Sequence, residues 1–422
     1  MRVSSPVCEL PSFARFFIIN GMRQYKTVAV IMAGGNGSRL RPITDTIPKP
    51  LLPIGRERAM TASLNMLRAA GIKYAIVTTR YMHEQIEDFY GEYYNGVRLL
   101  YSVETSPLGT AGSVRAAADV IRDFNELVVL SGDAVCDFDI GEALSYHRRA
   151  GAEATLLLAR SDEPWNYGVV TISEDNEKDD SNSGEIFSDG RVCGRITGFI
   201  EKPTSFEGYT AVINSGIYIL SRRAVGMIPR AKYDFGHNLF PYMLSRGDKI
   251  CGIEGAGYWC DIGGFDAYRR ACFDAAHGKI RGYSAHIDES GAIMGEYCRV
   301  HERSVFDGCV LHDGVTAGAD TTAVDSIICR GVTIGSGVTI EPGCVIGAYS
   351  IIENGAVLRS GTKTPPGSHV IAGAELKADL RFSGKAEEKE KEDVLLKSLA
   401  AQHAPVPEGG SVVAPEGDIA VL

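Results

Sequence analysis

A six-residue hydrophobic period in the C-terminal third restricts the folding options of this chain more than any other feature. Ile334, Ile340, Ile346, Ile352 and Leu358 follow one another at that step, and Val332, Val338, Cys344, Ser350 and Ala356 repeat it two residues earlier with small or branched side chains. Gly337, Gly343, Gly355 and Gly361 mark turns between them. A helix repeats its faces every 3.6 residues and a strand every two, so neither matches a period of six. A parallel β-helix does: one hexapeptide forms one side, and three sides make a coil. Residues 285–375 then hold about five coils of about 18 residues each. Val305 and Leu311 share the spacing, whereas 312–327 break it.

Ahead of this array, strand-like and helix-like segments alternate. Lys26-Thr27-Val28-Ala29-Val30-Ile31-Met32 is a continuous apolar run bounded by glycine, as expected for a strand buried on both faces. Residues 59–70 have helical composition, with Gly71 where a C-cap would stand. Residues 74–78, 97–102 and 126–131 read as further strands, the last ending in Gly132-Asp133. This alternation predicts an α/β layer with a mostly parallel sheet. Ligands bind outside the carboxyl ends of such strands, which is where the glycine-rich loop at 34–37 and Asp133 both fall. A chain of 422 residues holds roughly two to three domains. We place an α/β domain at 22–282, the β-helix at 285–375, and a charged helix with a flexible tail at 376–422. Residues 1–21 have no period and precede Met22, so we expect initiation at Met22 or a disordered extension. The polar stretch 172–190 reads as a surface hairpin.

Asp and Glu number 53 against 43 Lys and Arg, a net charge of −10. That balance argues against a broad positive face for nucleic acid, so a bound phosphate must meet a local cluster of cations and backbone amides. The ten cysteines are scattered with no C-x-x-C pair, as expected for reduced thiols in a cytoplasmic protein. No apolar run reaches 18 residues, so no membrane span is expected.

The segment Ala33-Gly34-Gly35-Asn36-Gly37-Ser38-Arg39-Leu40-Arg41-Pro42 continues through Lys49-Pro50-Leu51-Leu52-Pro53. Glycines after a buried strand let backbone N–H groups approach an anion, and Arg39 and Lys49 add positive charge. A Walker loop is excluded because no lysine follows the last glycine, and the dinucleotide fingerprint fails because Leu40 stands where its third glycine belongs.

With Pro107-Leu108-Gly109-Thr110-Ala111-Gly112, Ser131-Gly132-Asp133, Tyr167-Gly168-Val169-Val170, Phe199-Ile200-Glu201-Lys202-Pro203, Ile213-Asn214-Ser215-Gly216 and Trp259-Cys260-Asp261-Ile262-Gly263, this segment resembles the sugar-phosphate nucleotidylyltransferases, over residues 27–275. The repeats resemble hexapeptide left-handed β-helices. Taken together, the chain is most similar to mannose-1-phosphate guanylyltransferase-like proteins with a C-terminal hexapeptide domain. Ser38 replaces a more frequent threonine, and His237 a frequent lysine.

The resemblance implies a Rossmann-like three-layer α/β catalytic domain followed by a left-handed parallel β-helix. It implies in-line attack of a hexose 1-phosphate oxygen on the α-phosphorus of a nucleoside triphosphate. Such a reaction asks the protein to position and neutralise phosphates. On this reading Ala33, Gly34, Gly35, Gly37, Ser38, Gly109 and Thr110 bind the nucleotide. Arg39 stabilises the departing pyrophosphate, Lys49 neutralises the reacting phosphates, and Lys202 holds the sugar phosphate. Tyr167, Gly168, Glu201 and Asn214 address the sugar. Asp133 and Asp261 hold Mg²⁺, which serves as Lewis acid and template. The partners are then a nucleoside triphosphate, a hexose 1-phosphate and further copies of the chain joined through the β-helix. GTP with mannose 1-phosphate is the leading pair, and glucose 1-phosphate with ATP, UTP or dTTP the alternative. Two other readings stay open: a non-catalytic subunit of the same layout, and an acyltransferase using His301, His312 or His369 between coils.

Overall fold

The computed structural model describes residues 27–121, 123–173, 185–203 and 211–377. The expected extension at 1–21, the charged helix and the tail lie outside these residues.

The α/β domain is built on one 11-stranded sheet. The strand Thr27–Met32 lies between Tyr74–Thr79 and Glu126–Ser131, parallel to both, and Val97–Val103 continues the parallel set. Its apolar run serves two cores at once. Ala29 and Ile31 join helices Thr61–Ala69, His83–Tyr90 and Ile140–Ala150 on one face, while Val28 and Val30 join Thr110–Ala118 and Phe240–Ser245 on the other. Burial on both faces explains why the run lacks alternation. Beyond Glu126–Ser131 the pairing changes. Ala211–Ser221 inserts antiparallel between it and Ala154–Ser161, and Val192–Glu201 and Gly168–Ile172 add antiparallel strands. The parallel prediction therefore holds for the half that carries the glycine loop, and the sheet as a whole is mixed. Strand order reverses between Thr27–Met32 and Glu126–Ser131, which opens the crevice used below.

The C-terminal array is a three-sided parallel β-helix with five strands in each side, as the period predicts. Ile334, Ile340, Ile346, Ile352 and Leu358 are 2 % exposed or less and stack inside it. The apparent break at 312–327 is a change of coil length. Strand partners are 17 residues apart in the first two steps (Ile293 to Val310 to Ile327) and 18 in the next two (Ile327 to Val345 to Lys363). The missing residue falls at one corner, where Asp307-Gly308 and Asp325 carry the turn that Pro342-Gly343 carries in the longer coil.

The β-helix docks on helix Phe265–Ala276 with the side bearing Ile293, Val310, Ile327 and Val345. These point outward yet are buried, whereas Thr322, Thr333 and Ile351 in comparable positions on the other two sides are exposed. Gly55 seals the seam: a Cβ there would fall 2.2 Å from the Ser284 carbonyl oxygen. His312 is buried in the same seam, and burial pushes its pKa down to about 4. This removes it from the acyltransferase reading, while His301 and His369 are exposed on the outer surface. Because the folded value lies below the ordinary 6.5, the unfolded chain takes up this proton first. His312 therefore contributes its stability above pH 6.5 and loses it as the pH falls toward 4, by about 3 kcal/mol. Urea unfolding at pH 7, 5 and 4 should show this decline, and His312→Gln should flatten it.

Candidate active site

Three backbone segments converge at the carboxyl edge of the sheet. The first is the loop after Met32. The Ala33 N–H donates to the Thr78 carbonyl at 2.9 Å. Gly37 is left-handed (φ 63°), and a Cβ there would lie 2.9 Å from Thr44 Cγ2, whose hydroxyl donates to the Gly37 carbonyl at 2.8 Å. Gly35 faces open space. Gly34 and Gly35 border a cavity of about 310 Å³ that also touches Gly109, Thr110 and Asp133. Ser38 and Arg39, later in the same loop, are exposed and do not line it.

The second segment is the two-stranded ribbon of Ala134–Cys136 and Trp259–Asp261. Its register sets Asp261 opposite Ala134, and so next to Asp133, although the two are 128 positions apart in the chain. The third is the short turn Lys49–Leu51, stiffened by Pro48 and Pro50. It buries Lys49, whose Nζ donates to Asp133 Oδ2 at 2.7 Å and to Asp261 Oδ1 at 3.3 Å. Burial works against the Lys49 charge, but the two carboxylates outweigh it and hold its pKa above the ordinary lysine value. Burial also works against the Asp133 charge, and there the Lys49 ammonium, helped by the Ser131 hydroxyl, holds the carboxyl below its ordinary range. Arg39 joins them: a Cβ at Gly263 would sit 3.0 Å from both Arg39 Nη2 and Asp261 Oδ2. Four of the five proposed reaction residues, Arg39, Lys49, Asp133 and Asp261, thus stand together, and Lys202 lies on the sugar side described next.

The predicted sugar side lies across the ribbon. The Tyr167 ring meets Trp259 edge-on at 5.3 Å, two residues before Asp261. At Gly168 a Cβ would fall 2.6 Å from the Phe199 ring and 2.9 Å from Glu201 Oε2, so glycine admits both side chains. Burial raises the Glu201 pKa, partly offset by Lys202 and His237. Lys202 is exposed and left-handed (φ 47°), with its N–H donating to the Tyr167 carbonyl at 3.0 Å. A lysine in that conformation carries local strain of a kind found at functional sites. The Asn214 amide is already engaged: it donates to the Tyr218 hydroxyl at 2.9 Å and accepts from the Gly216 N–H at 3.0 Å across a bulge. Its carbonyl keeps one lone pair for a sugar hydroxyl.

Gly109 and Gly112 do a different job from the loop glycines. A Cβ at either would strike backbone, the Tyr233 carbonyl at 2.5 Å and the Ala231 carbonyl at 2.7 Å, so they let the 231–235 segment close over helix Thr110–Ala118. Sequence reasoning missed Arg80, Glu104 and Asp234, which border the same cavity. Arg80 donates to Asn36 Oδ1 at 2.8 Å, and Asp234 accepts from the Thr110 N–H at 3.4 Å. Arg80 directly follows Tyr74–Thr79, so the strand-end rule applied once more would have found it.

Among the described residues no three His, Cys, Asp or Glu side chains cluster. Two carboxylates alone do not make a four-ligand zinc cage. They suit Mg²⁺, which takes its remaining ligands from phosphate and water.

Residues 28–277 match the Nucleotidyl transferase family, and 325–360 match the bacterial transferase hexapeptide repeats. A mannose-1-phosphate guanylyltransferase of Mycobacterium tuberculosis is 30% identical over 77% of this chain and 84% of its own length. A UTP–glucose-1-phosphate uridylyltransferase of Synechocystis is 29% identical over 81% of this chain and 85% of its own. A mannose-1-phosphate guanyltransferase of Yarrowia lipolytica is 34% identical over 56% of this chain, and the match spans 60% of that relative. With more than half its length in the family match, and with loop, lysine and paired aspartates assembled at one sheet edge, the chain belongs to the nucleotidyl transferase family.

Proposed function

We propose that this protein joins a hexose 1-phosphate to a nucleoside triphosphate, giving a nucleotide sugar and pyrophosphate, with mannose 1-phosphate and GTP as the pair. The observation that carries this reading is Lys49 between Asp133 and Asp261, at the meeting of the glycine-loop cavity and the Tyr167–Glu201 side. A phosphate oxygen of the sugar forms the new P–O bond to the α-phosphorus as the bond to the β-phosphate oxygen breaks. Lys49 neutralises the reacting phosphates, Arg39 receives the departing pyrophosphate, and Lys202 holds the sugar phosphate. Asp133 and Asp261 would hold Mg²⁺, which supplies Lewis acidity toward phosphate oxygens when bound. The nine described cysteines form no disulfide, which fits a cytoplasmic setting, and the two exposed sides of the β-helix offer surface for self-association.

Glu104 supports the choice of GTP. Its carboxylate borders the 310 Å³ cavity, next to Gly34. Two acceptor oxygens match the adjacent N1–H and N2 amino donors of guanine. Uracil and thymine turn carbonyl oxygens toward the same carboxylate, and adenine offers no such donor pair. A bidentate match of this kind discriminates by about 1–3 kcal/mol. Pyrophosphate release measured with each triphosphate and each hexose 1-phosphate should be fastest for GTP with mannose 1-phosphate. Glu104→Gln should cut kcat/KM for GTP by about 10- to 100-fold and narrow its lead over the other triphosphates. No turnover with any pair would instead favour a non-catalytic subunit.

A further inference from the structure

We propose that the β-helix positions the reacting residues through one buried contact, Tyr268 with His312, so that it is a working part of the site rather than an appended scaffold. The proposal rests on the reaction proposed above.

Tyr268 lies on helix Phe265–Ala276, which begins four residues after Asp261. Its ring is fully buried. Its hydroxyl donates to the Pro53 carbonyl at 2.8 Å and lies 2.8 Å from His312 Nε2. A phenol has one proton. With that proton on Pro53, His312 must donate from Nε2–H to the phenol oxygen, which sets the neutral imidazole tautomer. One hydroxyl therefore ties together three pieces of chain.

The first piece is the segment that carries Lys49. Pro53 closes it, and inside it the Leu52 N–H donates to the Lys49 carbonyl at 3.1 Å. The second is the helix keyed to the Asp261 strand, where the Cys260 thiol donates to the Ala267 carbonyl and Arg270 donates to Cys260 Sγ at 3.9 Å. The third is the docked side of the β-helix, which presents His312 directly after Leu311. Arg269 reinforces the docking by donating to the Gly308 carbonyl at 3.1 Å and pairing with Asp325, and Lys363 lies over the Phe265 ring at 5.1 Å.

The distances at stake are small. Lys49 reaches its two carboxylates at 2.7 and 3.3 Å from opposite sides of this joint. If Tyr268 loses its hydroxyl, the His312 Nε2–H is left without its partner inside the seam and the Pro53 carbonyl keeps only the weaker Cys272 thiol at 3.6 Å. The two segments can then relax independently, and a displacement near 1 Å costs up to about 10²-fold in rate. Neither Tyr268 nor His312 touches the proposed ligand cavity, so both are positioning residues.

The test uses the full chain with Tyr268→Phe, His312→Met and His312→Gln, assayed well below each unfolding midpoint. Tyr268→Phe and His312→Met should lower kcat about tenfold with both KM values within twofold, while His312→Gln, whose amide can donate from a similar place, should keep at least half of kcat. Amide exchange at Leu52 should quicken about tenfold in the first two and stay near wild type in the third. Exchange needs no turnover, so it reads the joint even if the substrate assignment fails. Unaltered kcat and unaltered Leu52 exchange in Tyr268→Phe would overturn the proposal. So would a rise in KM at constant kcat, or a His312→Gln variant as impaired as His312→Met.

Discussion

Asp133→Ala and Asp261→Ala should each lower kcat by about 10³-fold, the largest effects expected for single replacements in this chain. Each carboxylate supplies half of the acidic pair that brackets Lys49, and loss of one preorganised charge at a transferring phosphoryl group costs about 10²–10³ by itself. Removing a carboxylate that would also hold Mg²⁺ adds to that loss. Initial rates at saturating triphosphate and sugar phosphate check it, with Mg²⁺ varied to show whether metal affinity fell. The thermal unfolding midpoint should fall as well, because either replacement leaves the buried Lys49 ammonium with one carboxylate instead of two. Turnover within tenfold of wild type in either variant would remove the pair from the mechanism.

Lys49→Met should come next, with kcat down by about 10²–10³-fold and a stability loss concentrated near neutral pH. The methionine fills similar space but leaves two neighbouring carboxylates without their cation. In the wild type, Asp133 titrates below its ordinary value. Its pairing therefore stabilises the fold above the unfolded carboxylate pKa and is lost as pH falls through the folded one. Lys49 titrates above its ordinary value, so its contribution is complete below the unfolded lysine pKa and is lost as pH rises through the folded one. In the variant both terms vanish and burial is left to act on Asp133, which favours its protonated form. The gap in unfolding midpoint between variant and wild type should thus shrink as pH is lowered from 7 to 4. A gap that stays constant, or widens toward acid, would contradict the pairing.

Much of this could be read without coordinates because it depends on local chemistry. The continuous run Val28–Ile31 reads as a strand buried on both faces, and the six-residue step of Ile334 through Leu358 fits a β-helix. Glycines at 34, 35 and 37 could be read as clearing Cβ atoms from an anion's path, whereas the left-handed turn that Gly37 makes is known only from the structure. The 17-residue coils escaped notice because a one-residue deletion at a corner hides the period while leaving every inward side chain in place. Arg80 and Glu104 escaped because each is an ordinary charged residue in its own neighbourhood, and acquires meaning only from the cavity wall it joins.

The residue pattern alone therefore determined the two architectures, the edge of the sheet where the candidate residues gather, and the types of side chain present there. Only the tertiary structure decided that Asp261 would stand opposite Ala134, that Lys49 would reach between the two aspartates, and that His312 would be buried in a seam instead of serving as a base. The physical reason is range. Backbone preference and side-chain periodicity act over a few residues, whereas hydrogen-bond register between distant strands and desolvation at a domain contact exist only once the chain has packed.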